Sequence, residues 1–448
     1  MDYKPLTSTT YHTYDSIGAI ESHKPNASEN ELFDEGNHGS NLGAYFNLVC
    51  IMAGTGILQL PLCLMEGGWI GILSILLCAT IVYYTGNLLI KCLYVDGIRL
   101  NSLPEVGEAA FGPIGKKIVT FFTWTILFGS SALFLILAAT NLTALCSSFL
   151  PNWDETTWVI VCALVTWLPF VLMKTLKEVA ILSFFGAFST VIMVVVIIVL
   201  GIIDLPANLS NSHTFANIGA FPSVLAAIGF SFGGNCVFPH VEHSMKDRKS
   251  WPKVYGYSIL TVAGMYLLTA IVGYYVYGDK TQSPILANLP SGAYLTLAVS
   301  VITAHVLLTN PILLASLSLE AETNLNIDLA HMSPAREFLT RALFRSILIF
   351  SAAVVAIKLH FFSDVMTLLG AISNSMLIFV LPVLFNFKLF GVRNASATKF
   401  IWSGIIVTVG ILCCCLGTYQ AMNNLIRKIL KQQISKDSAI FFYTIDCE

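Results

Sequence analysis

What this 448-residue chain has least of is charge. Asp, Glu, Lys and Arg make up 11% of it and apolar residues 56%, whereas a soluble globule carries about 25% charged residues. With a mean hydropathy of +0.75, that deficit excludes a soluble fold and puts the chain in a lipid bilayer. The absence is sharper inside the long apolar runs, where no Asp, Glu, Lys or Arg occupies a central position. An unpaired charge at mid-bilayer is costly, so a pocket among these runs offers no fixed side-chain charge and suits a ligand of little net charge. The rings of polar or charged residues that a channel normally carries along several spans are missing too. The 11 cysteines fall mostly within apolar runs, where Cys behaves as a small hydrophobe. They show neither a disulfide framework nor a zinc spacing. No cofactor or metal is expected, nucleic acid is not expected as a partner, and no cleavable signal peptide is expected before the first span.

What is present is a series of apolar runs. A membrane helix needs about 20 such residues, and eleven runs of that order lie near 43–65, 68–93, 117–149, 157–174, 178–203, 215–240, 253–277, 291–319, 339–358, 361–387 and 399–424. They predict a transmembrane domain over 43–424, preceded by a polar tail, 1–42, with the composition of a disordered segment. A C-terminal tail, 425–448, follows. Within the first tail, Glu29-Asn30-Glu31-Leu32-Phe33 reads as solvated chain rather than a sorting signal. Placing the N-terminus in the cytoplasm collects eighteen of the twenty-four Lys and Arg residues on the cytoplasmic side, against Lys280 and Lys358 in opposite loops. That is the positive-inside pattern. Arg427, Lys428, Lys431 and Lys436 run against it: either the C-terminal tail tolerates the far side or one span is miscounted. On this topology Asn208-Leu209-Ser210 faces the lumen or exterior, making Asn208 a glycosylation candidate.

Two runs are interrupted. The first contains Ala53-Gly54-Thr55-Gly56-Ile57-Leu58-Gln59-Leu60-Pro61 and the sixth Ser231-Phe232-Gly233-Gly234-Asn235-Cys236-Val237-Phe238-Pro239. Inside a bilayer, helix-breaking residues are tolerated only where protein or a cavity receives the freed backbone groups. Paired breaks at corresponding places in two halves of a chain point to a transporter's substrate site. The expected site is Ala53, Gly54, Thr55, Gly56 and Ile57 on one wall and Ser231, Phe232, Gly233, Gly234 and Asn235 on the other. A zwitterion suits it, its carboxylate on N–H groups that open a half-helix and its ammonium on carbonyls that close one. The alternative for Gly54-Thr55-Gly56 is close helix packing through small residues. Phe230 or Phe232 is either a gate over the ligand or plain packing.

His305 is the one ionisable-type side chain at the centre of a span, either a proton relay or a neutral, hydrogen-bonded bundle residue. Thr309-Asn310-Pro311 follows it, an ion-site candidate or an ordinary kink. Glu66, His240, Glu242 and His243 are expected at the membrane interface, where solvation is cheap, and Asp364 opens the tenth run. They are weaker candidates for a proton carrier.

At these motifs the chain resembles the amino acid/auxin permease family, in the branch of the vesicular inhibitory and fungal vacuolar amino acid transporters. Phe46-Asn47-Leu48, Gly54-Thr55-Gly56-Ile57-Leu58, Leu60-Pro61 and Gly67-Gly68-Trp69 resemble its first span. Thr85-Gly86-Asn87-Leu88-Leu89 with Cys92-Leu93-Tyr94 resembles its second, and the stretch from Ser102 to Gly115 the loop before its third. The stretch from Phe238 to Met245 is similar to the end of the sixth, and Leu369-Gly370-Ala371 with Leu381-Pro382 to the tenth. The resemblance runs from about Asn41 through the eleventh span. It implies an all-α polytopic fold of a five-plus-five inverted repeat, repeat one 43–203 and repeat two 215–387, with an extra helix 399–424. It also implies secondary active transport of amino acids. Sodium-coupled members look to carry Asn where Cys50 aligns, while Thr309 matches a threonine they use. A thiol is a poor sodium ligand because such cations prefer oxygen, so the resemblance implies coupling to a proton gradient rather than to sodium.

The expectation is thus a multi-pass, non-enzymatic transporter of neutral amino acids working by alternating access. Its membrane is vacuolar, lysosomal or vesicular, with the plasma membrane as alternative, and its ion-coupling candidates are His305, Thr309, Cys50 and Glu66. The rival readings are a sodium-coupled symporter and a non-transporting amino acid receptor in the same fold.

Overall fold

A computed structural model describes residues 40–172, 179–325, 327, 333–392 and 396–445. Apart from its last three residues, the predicted N-terminal tail lies outside them. An apolar run can satisfy its own peptide groups in lipid only as a helix, and helices account for nearly all of the rest. In chain order they are α1 (Asn41–Met52), α2 (Leu60–Gly67), α3 (Gly71–Cys92), α4 (Leu103–Cys146), α5 (Glu155–Leu172), α6 (Val179–Asp204), α7 (Phe221–Ser231) and α8 (Phe238–Ser244). Then come α9 (Trp251–Tyr277), α10 (Ala293–Asn324), α11 (Pro334–Lys358), α12 (Phe362–Leu369), α13 (Leu381–Phe390), α14 (Ala397–Leu412) and α15 (Thr418–Ile445). A two-stranded hairpin, β1 (Tyr94–Val95) with β2 (Ile98–Arg99), joins α3 to α4.

Ten helices among the described residues are long and apolar enough to cross a bilayer, counting continuous and bent ones. The run not counted among them is the sixth, 215–240, which is cut into two short pieces, α7 and α8. Local signals set the ends: Ser40 Oγ accepts from Gly43 N at 3.1 Å to open α1, and Pro104 occupies the first turn of α4, where a missing N–H costs nothing. Helix α4 bends at Gly112, whose φ is +67°, next to Pro113. The tenth span passes through a π-helical stretch, Gly370–Val380, between α12 and α13.

The long contacts are α10 along α4 and α6, α7 against the π-helical stretch, and α1 between α6 and α9. Polar pins fix the first of these: Asn141 Nδ2 donates to Thr303 Oγ1 at 3.0 Å and Trp124 Nε1 to Glu320 Oε2 at 3.0 Å. At the middle of α11, Arg345 is fully buried. It grips Glu322 through Nε–Oε1 at 2.7 Å and Nη2–Oε2 at 3.1 Å, and donates Nη1 to Phe170 O at 2.9 Å. A buried ion pair is tolerated when its remaining donors are also satisfied.

Two expectations are revised. Glu242 does not lie at a solvated interface: it is 1% exposed and ion-paired with Arg99, Nη2–Oε2 2.8 Å. The Tyr94 hydroxyl also donates to Glu242 Oε1, and Arg99 Nη2 donates to Pro239 O at 2.7 Å. Burial, then the bond to the Glu242 carboxylate, push the Tyr94 phenol above its ordinary pKa. The hairpin therefore clasps α8. The second revision concerns the C-terminal segment, which is helical as α15 as far as Ile445. Lys428 Nζ meets Asp364 Oδ2 at 2.6 Å, so one of the basic residues that ran against the charge rule is ion-paired.

Candidate functional site

The first break begins where α1 ends at Met52. Ala53 N still reaches back to Val49 O at 2.7 Å, Gly54 turns away at φ −84°, ψ −140°, and a 3-10 turn, Thr55–Gln59, leads into α2. Pro61 sits in the first turn of α2. In the sixth span, Gly233 N donates to Phe230 O at 2.8 Å as α7 closes. Gly234 follows at φ +154°, a backbone state that favours glycine, and α8 restarts with Pro239 in its first turn.

The two breaks meet. Ser231 Oγ donates to Gly56 O at 3.2 Å and to Ala227 O at 3.1 Å, and a Cβ added at Gly56 would lie 2.6 Å from Ser231 Cα. Gly56 is thus a close-packing glycine between half-helices. The backbone N–H groups of Gly54, Thr55, Gly56, Gly234 and Asn235 donate to no carbonyl among the described residues. A buried orphan N–H is rare and asks for a partner, and at the start of a half-helix it favours an anion.

The carbonyls tell a different story. The Tyr266 hydroxyl lies 2.5 Å from Met52 O and 2.5 Å from Ser231 O, the ends of α1 and α7. With one proton it donates to one of them at a time. Thr190 Oγ1 donates to Ala53 O at 2.6 Å. Asn374 Nδ2, from the π-helical stretch, lies 3.4 Å from Phe230 O and 3.5 Å from Gly229 O. Protein side chains thus already serve the carbonyls expected to receive an ammonium, although a carbonyl has a second lone pair. Phe232 is buried against Tyr266, ring centroids 4.8 Å apart and edge to face. Asn235 Nδ2 donates to Leu377 O at 3.1 Å while its buried Oδ1 has no partner among the described residues.

Three of the four ion-coupling candidates converge beside the first break. A Cβ at Gly186 of α6 would touch both His305 Cε1 and Cys50 Sγ, so these two side chains rest on the same glycine. Thr309 Oγ1 donates to His305 O at 2.8 Å and lies 3.5 Å from His305 Nδ1. The buried Asn310 amide next in sequence has no hydrogen-bond partner on either atom among the described residues. Glu66 is apart from them, in the last turn of α2. Asn208 Nδ2 donates to Asp204 O and Asp204 Oδ2, both at 3.0 Å, and glycosylation, which replaces one of the two Nδ2 hydrogens, would leave a donor for only one of them.

Sequence reasoning missed Tyr266, Thr190, Gly186 and Asn374, each distant in the chain from the break it serves. One signal was available for Tyr266: a tyrosine at mid-span needs a hydrogen-bond partner for its hydroxyl, and unwound carbonyls are natural acceptors.

The profile of the "Transmembrane amino acid transporter protein" family matches residues 37–423. The amino acid transporter AVT1C of Arabidopsis thaliana is 26% identical over 408 residues, covering 86% of this chain and 70% of its own. A vesicular GABA transporter of Caenorhabditis elegans is 26% identical over 430 residues, covering 93% of this chain and 87% of its own. Among solved structures, a Na+-coupled sialic acid symporter aligns with a TM-score of 0.53 at 14% identity, over 89% of this chain and 92% of that one. A manganese transporter of Eremococcus coleocola aligns with a TM-score of 0.54 at 13% identity, over 90% and 91%. At such identity these two speak for the fold alone.

Proposed function

The chain belongs to the transmembrane amino acid transporter family, and from that premise we propose that it moves small neutral amino acids across an organelle membrane by alternating access, driven by a proton gradient. It is a multi-pass membrane protein of all-α, five-plus-five inverted-repeat fold. The observation that carries the proposal is the meeting of two unwound midpoints, joined by Ser231 Oγ and Gly56 O, with five backbone N–H groups around them that donate to no carbonyl among the described residues. Those donors suit a carboxylate, and the absence of a fixed side-chain charge suits a solute of no net charge. Alternating access follows if α1 and α8 tilt relative to their partner halves, since each is joined to its span by an unwound link. The Arg99–Glu242 clasp holds α8; on the topology proposed here it faces the cytoplasm and would have to part when that side opens.

Coupling is assigned to the cluster of His305, Cys50 and Thr309. A histidine changes charge near neutral pH, and this one lies against the glycine that also carries Cys50, two residues from the end of α1. Protonation there would bias the position of α1. The relatives include a vesicular transporter, which supports a vesicular, vacuolar or lysosomal membrane.

Uptake of labelled neutral amino acids into proteoliposomes under an imposed pH gradient tests the proposal. Saturable accumulation that collapses with the gradient is expected; a flat response to the whole neutral set would sink the substrate assignment, and binding without counterflow would favour a receptor. In His305→Gln, gradient-driven accumulation should fall at least about tenfold while exchange at equal pH persists. Equal loss of both would make His305 structural.

A further inference from the structure

Where α2, α12 and α15 meet, the bundle gathers more acid than base. Asp364, in the first turn of α12, is 6% exposed and meets Lys428 Nζ of α15 at 2.6 Å. Glu66, partly buried in the last turn of α2, is engaged electrostatically with both, repelled by Asp364 and attracted by Lys428. Lys428 also lies over the Phe361 ring, 5.7 Å from its centroid. Three segments thus bring two carboxylates onto one ammonium. A deeper contact joins the same helices: Gln59, 1% exposed in the turn that leads into α2, donates Nε2 to Thr367 Oγ1 at 2.9 Å and to Ser363 Oγ at 3.0 Å, both on α12. The base of α2 is therefore tied to α12 by neutral hydrogen bonds, while its far end carries a carboxylate that α12 repels.

Carboxylates drawn together out of water do not both stay ionised without matching counter-charge; one of them takes a proton. The other groups facing the pair do not supply that charge. On α2 itself Cys63 lies one turn before Glu66, and on α15 Arg427 and Lys431 are exposed, where solvent screens them. His360 stacks on Phe361, ring centroids 4.4 Å apart. Of the segments packed on α2 and α12, α7 and the π-helical stretch carry no titratable side chain, α4 has no charge beyond Lys117, and α9 brings only Tyr274, Tyr275 and Tyr277 to this end. We infer that Glu66 and Asp364 form a proton-binding pair, set by Lys428, that closes α2 onto α12 when the compartment at this end is acidic. One proton removes the repulsion between the two helices, and the unwound link before α2 lets it tilt in response. Closure and proton binding then favour each other, so α2 is held as pH falls and loosened as pH rises. On the topology proposed above, this end faces away from the cytoplasm. The pair needs only these charges and a proton, and stands apart from the coupling assigned to His305.

The test is amide hydrogen exchange of Leu62–Gly67 in the full chain in maltoside detergent, corrected for free-amide exchange at each pH, with α5 as internal reference. Between about pH 5.5 and 8, protection of α2 should fall about tenfold relative to α5. Glu66→Gln, which imitates the protonated acid, should keep the low-pH protection at every pH; a merely structural role would lower it throughout. Lys428→Met, at a side chain 48% exposed, takes away the shared cation without touching α2 and should move the midpoint of the response upward by at least about one pH unit. Lys428→Arg should restore it. His305→Gln and His360→Gln should leave the response in place. A wild-type profile flat with pH, a response that survives Glu66→Gln, a midpoint unmoved in Lys428→Met, or a response lost in either histidine variant overturns the pair. A chain that shows the response but moves no amino acid would leave the pair standing and refute the transport reading alone; gradient-driven uptake without the response does the reverse.

Discussion

The two breaks occupy corresponding places in the two repeats and solve the same problem differently. The first is tight: Gly54 turns once, a 3-10 turn follows at once, and its freed carbonyls are held by Thr190 and Tyr266. The sixth is loose: the six residues between α7 and α8 form no 3-10 turn, and they include a glycine at φ +154° and an asparagine whose amide nitrogen is anchored while its oxygen has no partner among the described residues. Tyr266 is the side chain both share. The difference teaches that an unwound helix in a membrane is stabilised by whichever neighbours supply its lost donors, and that the looser break keeps the most freedom to respond to a ligand.

The comparison can be broken outright at Gly56. Leucine there overlaps the Ser231 backbone, which cannot yield as a flexible side-chain tip would, so uptake should drop to background. Monodispersity by size exclusion tells loss of the site from loss of the fold, and wild-type flux would show that the breaks need not touch. Next in size is Tyr266→Phe, which takes the shared donor from two carbonyls at about 1–3 kcal/mol and should lower transport about tenfold. Thr190→Val acts on the first break alone, removes about 1 kcal/mol, and should lower transport about fivefold. Asn235→Ala acts on the sixth alone and removes a good bond together with an unpartnered oxygen. These offset, so uptake should change by less than about twofold. If Asn235→Ala harms transport more than Thr190→Val, the ordering of tight and loose breaks is reversed.

The asymmetry was partly legible beforehand. Gly54, Gly56 and Pro61, like Gly233, Gly234 and Pro239, announce unwinding through backbone chemistry alone, and local chemistry is what a sequence displays directly. That the breaks abut was expected, but their contact through Ser231 and Gly56 was not, nor was the extent to which side chains had claimed the carbonyls. Glu242 shows the same limit from the opposite side. Near a span end it reads as a solvated carboxylate, and only the hairpin that returns Arg99 to it makes burial tolerable.

The sequence by itself determined that the chain crosses a membrane, roughly where it does so, and where two spans come undone, because hydropathy and helix-breaking residues act on their immediate neighbours. The tertiary structure decided which groups receive the freed peptides, that Cys50 and His305 share a glycine, and that Lys428 answers Asp364. Those are pairings between segments up to more than two hundred residues apart, and they arise only when helices pack, since the cost of a buried polar group is met by whatever partner the fold brings within reach.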